Sequence, residues 1–549
     1  MSQLTTKRPA TKLAKGAIVA PQPLAVEEGA KVLQKGGNAI DAAVTCAAVQ
    51  GILDPQMCGV GGYAMLNLYL ADGAQNIGID GPALAGAKVT ADMWQDQVLG
   101  ANPDGWGFFL KGKVNDAGYT SICTPGWVKA MSTMLARWGT ISWAEALEPA
   151  ARIAEEGFPV GERLANGWLR LRPYPDACSL MDYIEANPEA RRIYLKADGK
   201  PYALGELLRN PDYARTLRHL GKYGPDDFYH GELAERMSAD LAANGAFVTA
   251  QDLATYKLRE NQLVTGTYRG YTVTCATAPH GGPTLIEILN ILEGYDLGAM
   301  EHNSPDYIYL VAMAMKAAFA DRNPRMADPE FEDVPLAWMM SKERAAEWRA
   351  HIDADKPIEV SFDATASTPH TTHVSVVDSA GNCVALTHSL GASSGVITPG
   401  LGFMYNNSMI NCHPFPGHLN SIAPGKGRTT GMAPTIVSKD GKPVLVLGSP
   451  GATRIITSNL QVILNVLDFG MSVSDAVAAP RFDCQVSDIR CQARIPEYVC
   501  AEVRKKHPIR RIPQSHGGLA LVHAITIDPQ TGALAGGADT GADGMALLV

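Results

Sequence analysis

The stretch Thr371-Thr372-His373-Val374-Ser375-Val376-Val377-Asp378 lies two-thirds of the way along the 549-residue chain and follows a polar run at 365–369. A threonine hydroxyl is a weak nucleophile unless a base lies beside it. If the chain is cut before Thr371, the new α-amino group supplies that base, because its pKa as a free amine is about 7.7–8.0. The run 365–369 is then the predicted exposed, cleavable link.

The same stretch predicts a β-hairpin. Its side chains alternate between two sets, residues 378–382 favour a turn, and residues 383–387 favour a second strand. Hairpins of this kind are common in proteins without any chemistry. Taken alone, the segment therefore leaves two interpretations open, a structural strand and a strand that begins with a nucleophile.

Composition and charge narrow the function classes. A net charge of −9, without a block of like charges, argues against nucleic-acid binding. Residues 1–20 lack the apolar segment of a secretory signal and are predicted to form a flexible arm, and no apolar run reaches the ~18 residues of a membrane span. The ten cysteines lack zinc or redox spacing, which favours reduced, mostly buried thiols in a cytoplasmic enzyme. Leaderless export and a trimmed precursor stay open.

A glycine-rich loop at 59–62 has the wrong neighbours for a nucleotide site. A helix is predicted to open at Asn38 or Asp41, each able to cap it, and the loop follows that helix and precedes a strand at 64–70. Phosphate loops need the order strand, loop, helix. Further on, residues 125–350 are predicted to be mainly helical, with helices at 143–156, 232–243, 284–292 and 305–320. After 371, short strands dominate, with helices at 453–467 and 472–478.

A set of motifs in a fixed order, spanning roughly residues 18–545, gives the chain a family resemblance. With the stretch at Thr371, it resembles the γ-glutamyltransferase family of N-terminal-nucleophile hydrolases. The motifs that carry this resemblance include Gly36-Gly37-Asn38-Ala39-Ile40-Asp41, Gly59-Val60-Gly61-Gly62, Thr124-Pro125-Gly126, Phe228-Tyr229, Asp252-Leu253-Ala254, Ala433-Pro434-Thr435-Ile436, Gly448-Ser449-Pro450-Gly451 and Ala479-Pro480-Arg481-Phe482.

The resemblance implies an α+β fold, a four-layer αββα sandwich formed jointly by two subunits of one precursor. The precursor would cut itself between His370 and Thr371, giving a large subunit of residues 1–370 and a small one of 371–549. Thr371 would then attack the amide bond of a small-molecule substrate and form an acyl-enzyme, without a metal or other cofactor. Assembly of the heterodimer into a homo-oligomer is left open.

The resemblance also assigns supporting roles around the nucleophile. The backbone N–H groups of Gly451 and Ala452 would bind the oxyanion, although the family usually has two glycines there. Pro450-Gly451 also reads as a tight turn before a helix, and that interpretation stays open. Ser389 falls where the family has a threonine that hydrogen-bonds the nucleophile.

The substrate pocket departs from the family pattern. The family holds the substrate α-amino group with an asparagine, a glutamine or glutamate, and an aspartate, and these positions are Gly391, Ser408 and Asn411 here. Without the acid, a substrate ammonium has no charged partner. The serine pair that holds the substrate carboxylate is Thr430 and Gly431. The arginine that clamps this carboxylate has no counterpart at 80–83.

One additional cation lies close to the altered positions in sequence. Arg428 stands where the family usually has proline, and its guanidinium could hold a carboxylate with two hydrogen bonds. A solvated loop residue is the alternative, and His280 and His388 are further candidates for the pocket wall. These departures favour an acid-bearing amide without an α-ammonium, such as oxamate or a dicarboxylic acyl amide. A genuine glutathione hydrolase is the alternative.

Three rival interpretations remain. Gly391-Ala392-Ser393-Ser394-Gly395 matches the nucleophile elbow of serine hydrolases, but the residues that follow cannot form the required helix. The histidines lack the spacing of a metalloprotease site. A non-catalytic binding protein on this scaffold is the third, and it predicts a chain that never cleaves itself.

Overall fold

The computed structural model describes residues 14–103, 107–361, 371–541 and 543–549. Its strands, numbered in chain order, are β1 (Ala17–Ala20), β2 (Tyr63–Leu70), β3 (Gln75–Gly81), β4 (Val98–Ala101), β5 (Phe108–Leu110), β6 (Phe158–Pro159), β7 (Leu207–Leu208), β8 (Arg259–Glu260), β9 (Leu263–Tyr268), β10 (Tyr271–Ala276), β11 (Thr372–Val377), β12 (Cys383–Ser389), β13 (Thr435–Lys439), β14 (Lys442–Gly448), β15 (Phe482–Asp483), β16 (Ile489–Cys491), β17 (Ile509–Arg511), β18 (His523–Ile527), β19 (Leu534–Ala538) and β20 (Met545–Leu548).

The α-helices, numbered in the same way, are α1 (Pro23–Gln34), α2 (Ala39–Leu53), α3 (Trp127–Trp138), α4 (Trp143–Glu156), α5 (Glu162–Leu169), α6 (Leu180–Ala186), α7 (Pro188–Tyr194), α8 (Pro211–Tyr223), α9 (Asp227–His230), α10 (Glu232–Ala243), α11 (Ala250–Ala254), α12 (Gly282–Leu292), α13 (Pro305–Arg322), α14 (Leu336–Met339), α15 (Lys342–Asp353), α16 (Arg454–Leu467), α17 (Val473–Ala478) and α18 (Glu497–Val503).

Two large sheets form the centre of the molecule. One has seven strands in the order β20-β1-β11-β12-β2-β3-β8, and the other has six in the order β19-β18-β14-β13-β10-β9. The predicted hairpin is confirmed as β11 and β12, antiparallel neighbours in the middle of the seven-stranded sheet. Both strands are buried along their whole length.

Apolar clusters define the layers. The sheets face each other across side chains such as Ala385, Val446 and Ile525. A second cluster joins the outer face of the seven-stranded sheet to α1–α4 and their neighbours, and a third joins the six-stranded sheet to α12, α13, α16 and α17. Since a sheet can bury each face only against another layer, the result is a four-layer αββα arrangement, as predicted.

The start of α2 shows how the sequence fixes one of these layers. Asn38 accepts hydrogen bonds from the N–H groups of residues 40 and 41, and the Asp41 carboxylate accepts one from the Asn38 N–H at 2.8 Å, which completes a capping box. The helix that follows is apolar on all sides and buried from Ala39 to Ile52. A helix of this kind belongs inside a layer, and its small side chains allow close packing.

The glycine-rich loop packs against the end of β12. A Cβ on Gly62 would lie 2.3 Å from the Ser389 carbonyl oxygen, and one on Gly61 would lie 2.3 Å from that of Met404. Only glycine allows backbones to approach so closely. The loop therefore supports the strand that carries Ser389, and the order helix, loop, strand (α2, 59–62, β2) is confirmed.

One prediction about the elements was wrong, and the mainly helical prediction for 125–350 was right but incomplete. Residues 17–20, predicted as part of an arm, form the buried strand β1 between β11 and β20. The mainly helical prediction for 125–350 missed β9 and β10, which pair with each other and with β13. Strand β1 depends on partners far away in sequence, whereas β9 and β10 form a local hairpin whose alternating pattern was overlooked.

Two further features concern the environment of the chain. Eight of the ten cysteines are buried, and Cys178 and Cys412 are half-buried. Within the described ranges, no helix combines the length and the apolar character that crossing a membrane requires.

Candidate active site

Thr371 precedes β11 and is 2% exposed. Its Oγ1 donates a hydrogen bond to the Ser389 Oγ at 3.2 Å. Ser389 ends β12, and its Oγ also accepts the Gly391 N–H at 2.8 Å. The predicted nucleophile, its expected hydroxyl partner and one predicted pocket residue are thus brought together. His370 and the run 365–369 lie outside the described residues, so the cleavage link itself stays a prediction.

A polar network behind β11 holds the start of this strand. The Gln50 Nε2 donates to the Thr372 Oγ1 at 3.0 Å and to the His373 carbonyl oxygen at 3.2 Å. The His388 Nε2 lies 2.9 Å from the Gln50 Oε1, and the Trp127 Nε1 donates to the His388 Nδ1 at 3.0 Å. Burial lowers the pKa of His388 to about 3. His388 is therefore a neutral member of the core network, not a residue of the pocket wall.

The loop before α16 has the geometry of a donor site. Gly451 and Ala452 are buried with φ of +146° and +62°. Neither N–H donates a hydrogen bond to any residue in the described ranges. Buried backbone N–H groups without a partner are rare. The segment is a turn before α16, as the structural interpretation of Pro450-Gly451 predicted. It also presents two N–H donors. The oxyanion role therefore stays a prediction that this geometry allows.

Arg428 is buried beside the turn that follows β12. It is 6% exposed, and its guanidinium lies over the Tyr63 ring at 5.1 Å from the ring centroid. A Cβ on Gly391 would lie 3.4 Å from the Arg428 Nη1. The interpretation of Arg428 as a solvated loop residue is therefore wrong, because the side chain points into the predicted pocket region.

Gly391 cannot carry a side chain in this arrangement. Its φ is +79°, and a Cβ there would lie 2.3 Å from the Asn407 Oδ1. The amide of Asn407 thus occupies the space in which a residue at 391 would place its side chain. Position 391 therefore offers a substrate no side chain.

Thr430 lies in a chain of polar side chains. Its Oγ1 is 2.7 Å from the His280 Nδ1 and accepts the Met432 N–H at 3.1 Å. The His280 Nε2 lies 3.2 Å from the Asp80 Oδ2. His280, a weak candidate from sequence, is therefore placed directly against a predicted substrate-binding residue. Asp80 marks the segment that lacks the expected arginine.

Gly431 joins this group to the donor loop. A Cβ on Gly431 would lie 2.1 Å from the Ala452 carbonyl oxygen. The position that follows Thr430 is therefore closed to any side chain. A single backbone contact links the predicted carboxylate site with the predicted oxyanion site.

Ser408 and Asn411 lie on one turn of 3-10 helix, Ser408–Asn411, and both are buried. The Ser408 Oγ has no hydrogen-bond partner among the described residues. Met409 of this turn belongs to the same apolar cluster as Tyr63 and Met432. The turn therefore lies near the loop that carries the other predicted pocket residues.

Sequence reasoning missed two polar residues next to this region, Asn407 and Asp116. The Asn407 Nδ2 donates to the Asp116 Oδ1 at 2.9 Å, across 291 positions of the chain. The adjacent asparagines at 406 and 407 within an apolar segment were the only signal available. Asp116 lines a cavity of about 920 Å³ together with Ala392 and Gly451.

Two rival interpretations concern the G-x-S-x-G match at 391–395 and a metal site. Ser393 is fully buried, and the first helical turn after it begins only at Ser408, so the helix that a nucleophile elbow requires does not follow it. In the ranges that the structure describes, no group of His, Cys, Asp and Glu has the arrangement of a metal site.

Comparison with known families agrees with this geometry. The family model described as gamma-glutamyltranspeptidase matches residues 25–549. The chain belongs to this family. Among curated proteins, it is 36% identical to the Acylase ACY 1 proenzyme of Pseudomonas sp. (strain V22), over 99% of this chain and 95% of that protein. It is 34% identical to the glutathione hydrolase proenzyme of Escherichia coli (strain K12), over 86% of this chain and 81% of that protein.

Solved structures show the same relationship. The cephalosporin acylase from Bacillus halodurans aligns with a TM-score of 0.84 and 26% identity, covering 100% of this chain and 98% of that one. The gamma-glutamyltranspeptidase of Helicobacter pylori aligns over 66% of this chain with a TM-score of 0.55 and 30% identity. This member of the γ-glutamyltranspeptidase family is therefore an enzyme with the N-terminal-nucleophile hydrolase fold, and its relatives are made as proenzymes.

Proposed function

We propose that this protein is a self-processing amidohydrolase that cleaves, through Thr371, an amide of a small acidic substrate lacking an α-ammonium group. The observations that carry the proposal are the contact between the Thr371 and Ser389 hydroxyls and the buried guanidinium of Arg428 close to Gly391. Cleavage before Thr371 would leave residues 1–370 and 371–549 as the two subunits. The cytoplasm remains the expected location.

The chemistry follows from the positions of these groups. The free α-amine of Thr371 accepts the proton of its own hydroxyl as the Oγ attacks the substrate carbonyl carbon. The charge on the carbonyl oxygen is taken up by the N–H groups of Gly451 and Ala452, which lack other partners in the described ranges. The amine leaves with the returned proton, and water or a second amine then attacks the ester on Thr371.

Electrostatics support the substrate class. Arg428 lies close to the Gly391 backbone, and a guanidinium binds a carboxylate with two charge-assisted hydrogen bonds. Asn411 has a neutral amide where the family has an aspartate, so it gives the α-ammonium group of a substrate no charged partner. An oxamate-like amide and a dicarboxylic acyl amide both present the required carboxylate. Acylases among the relatives support the second, and glutathione hydrolases support the γ-glutamyl alternative.

The test has two stages. Intact mass of the purified protein, compared with Thr371→Ala, reports whether the chain splits between His370 and Thr371 in a threonine-dependent way. The cleaved enzyme is then assayed against oxamate, succinyl and glutaryl amides, and γ-glutamyl amides. We expect acidic amides without an α-ammonium to give the highest kcat/KM.

Arg428 provides the matched variants. Arg428→Gln should lower kcat/KM for the acidic amide about 10- to 100-fold, mainly through KM, as for the loss of a charged hydrogen bond. Arg428→Lys keeps the positive charge but loses the planar group that binds a carboxylate through two hydrogen bonds. Its kcat/KM should lie between those of the wild type and Arg428→Gln. A preference for γ-glutamyl amides would overturn the substrate assignment, and a chain that is never cleaved and shows no activity would support the binding-protein alternative.

A further inference from the structure

We propose that Asp116 and Asn407 form a brace that positions the Ser389 hydroxyl against Thr371, which makes both of them positioning residues for the reaction proposed above. The inference rests on that proposed function, since it concerns the same nucleophile. It adds a contribution from the part of the chain before Thr371, far from the nucleophile in sequence.

Every polar group of Asn407 that bears on the turn after β12 is occupied. Its backbone N–H donates to the Leu390 carbonyl oxygen at 3.0 Å, and its Oδ1 accepts the Ala392 N–H at 2.7 Å. Its Nδ2 donates to the Asp116 Oδ1 at 2.9 Å and to the Asp116 carbonyl oxygen at 3.0 Å. An amide bound at both ends has a fixed orientation, because exchanging its oxygen and nitrogen would break both sets of hydrogen bonds.

Asn407 therefore holds Gly391 from both sides. Gly391 lies between the two residues that Asn407 bonds, and it adopts φ +79°, a conformation that needs external support in a defined turn. Its N–H donates to the Ser389 Oγ at 2.8 Å, and that oxygen accepts the Thr371 hydroxyl at 3.2 Å. The direction of the Gly391 N–H thus determines which part of the Ser389 oxygen faces the nucleophile.

Asp116 fixes the far end of the brace. The Tyr183 hydroxyl donates to its Oδ1 at 2.6 Å, and the carboxyl is buried. Burial raises the pKa of Asp116, with the bonds from Tyr183 and Asn407 acting in the opposite direction. Burying a carboxyl group costs free energy unless it is hydrogen-bonded, so its placement beneath the active-site turn fits a positioning task.

Self-cleavage of the precursor gives a test that needs no substrate, because it uses the same Thr371 hydroxyl. The rate is followed by intact mass, well below the melting temperature of each variant. Asp116→Leu removes the side-chain acceptor, leaves the backbone carbonyl of residue 116, and should slow cleavage up to about tenfold, the effect of losing one well-placed hydrogen bond. Asp116→Asn keeps an acceptor of the same shape and should stay within about threefold of the wild type. Tyr183→Phe removes a different partner of Asp116 and leaves Asn407 and Cys178 in place, so this variant should also stay near the wild type.

A swap of the two groups guards against folding failure. Asn407→Asp alone sets two carboxyl groups against each other and should slow cleavage. Adding Asp116→Asn restores the side-chain pair and should recover part of the rate, because the carbonyl oxygen of residue 116 still faces a carboxylate. In the mature enzyme, the same variants should change kcat with little change in KM. Equal cleavage rates in wild type, Asp116→Leu and Asn407→Asp would overturn the brace and leave the proposed function intact. A wild type that does not cleave would overturn the proposed function itself, and the brace with it.

Discussion

The Thr371 hydroxyl lies opposite the Ser389 hydroxyl, 3.2 Å away, at the shared end of two antiparallel strands. The register explains this contact. Thr372 pairs with His388, so the next position on each strand brings Thr371 and Ser389 face to face. The hairpin that the alternating pattern predicts is therefore the same feature that pairs the nucleophile with its hydroxyl partner.

Ser389 variants test this pair. Ser389→Ala removes the acceptor of the Thr371 hydroxyl and should slow self-cleavage about 3- to 10-fold, since a neutral hydrogen bond contributes about 1 kcal/mol net. Ser389→Thr keeps the hydroxyl and should cleave at nearly the wild-type rate. Intact mass against time gives both rates. A Ser389→Ala precursor that cleaves as fast as the wild type would show that the contact has no part in activation.

The donor loop provides a second pair of variants. Ala452→Gly keeps the N–H and removes a side chain from a residue at φ +62°, so activity should be retained and stability should rise by about 1 kcal/mol. Gly451→Ala places a Cβ 2.5 Å from that of Ala520 at φ +146°, which must displace the loop. A misplaced oxyanion donor should lower kcat about 100- to 1000-fold. Steady-state kinetics and thermal unfolding measure the two effects, and normal kcat in Gly451→Ala would refute the oxyanion role.

A buried ion pair supports the segment that carries Arg428. The Asp328 Oδ2 accepts from the Arg259 Nη2 at 2.9 Å and from the Gly427 N–H at 2.6 Å, and both side chains are buried. Asp328→Ala should cost about 3–5 kcal/mol, because it leaves a buried guanidinium without this partner. Glu330 contacts the same guanidinium at 2.9 Å but is 60% exposed, so Glu330→Ala should cost no more than about 1 kcal/mol. Urea unfolding of both variants measures the difference, and equal losses would contradict the argument.

His523 should make stability depend on pH. Burial lowers its pKa from 6.5 to about 3, with Asp539 raising it and Arg163 and Arg481 lowering it further. Its ring nitrogens have no hydrogen-bond partner among the described residues. Because the folded state binds this proton less readily than the unfolded state, the contribution is complete above pH 6.5 and is lost as the pH falls toward 3.

The matched variant for this effect is His523→Leu, which cannot take up the proton. The free energy of unfolding of the variant minus that of the wild type should be about 2 kcal/mol larger at pH 5 than at pH 8. The difference grows by about 1.36 kcal/mol for each pH unit below pH 6.5. Urea unfolding at several pH values measures this difference, in which any packing change cancels. A difference that stays constant between pH 8 and pH 5 would show that His523 is not buried in its neutral form.

Local patterns predicted the elements whose signals lie within a few residues. The cap at Asn38, the helix Trp143–Glu156 and the hairpin of β11 and β12 were all found in this way. Strand β1 was missed because four apolar residues form a strand only when β11 and β20 lie on either side. Strands β9 and β10 form a local hairpin across residues 269–270, so their signal was present in the sequence and was overlooked.

The residues of the candidate site also fall into those that local sequence predicted and those that tertiary contacts placed. Residue type and order were enough to predict Thr371 as the nucleophile, through the family resemblance, and to place the glycines and a cation near Thr430. Tertiary structure decided that Arg428 is buried under Tyr63, that His388 belongs to the core network, and that Asn407 fills the space beside Gly391. These outcomes depend on contacts between segments far apart in the chain, and only the packed layers bring such segments within a few ångströms.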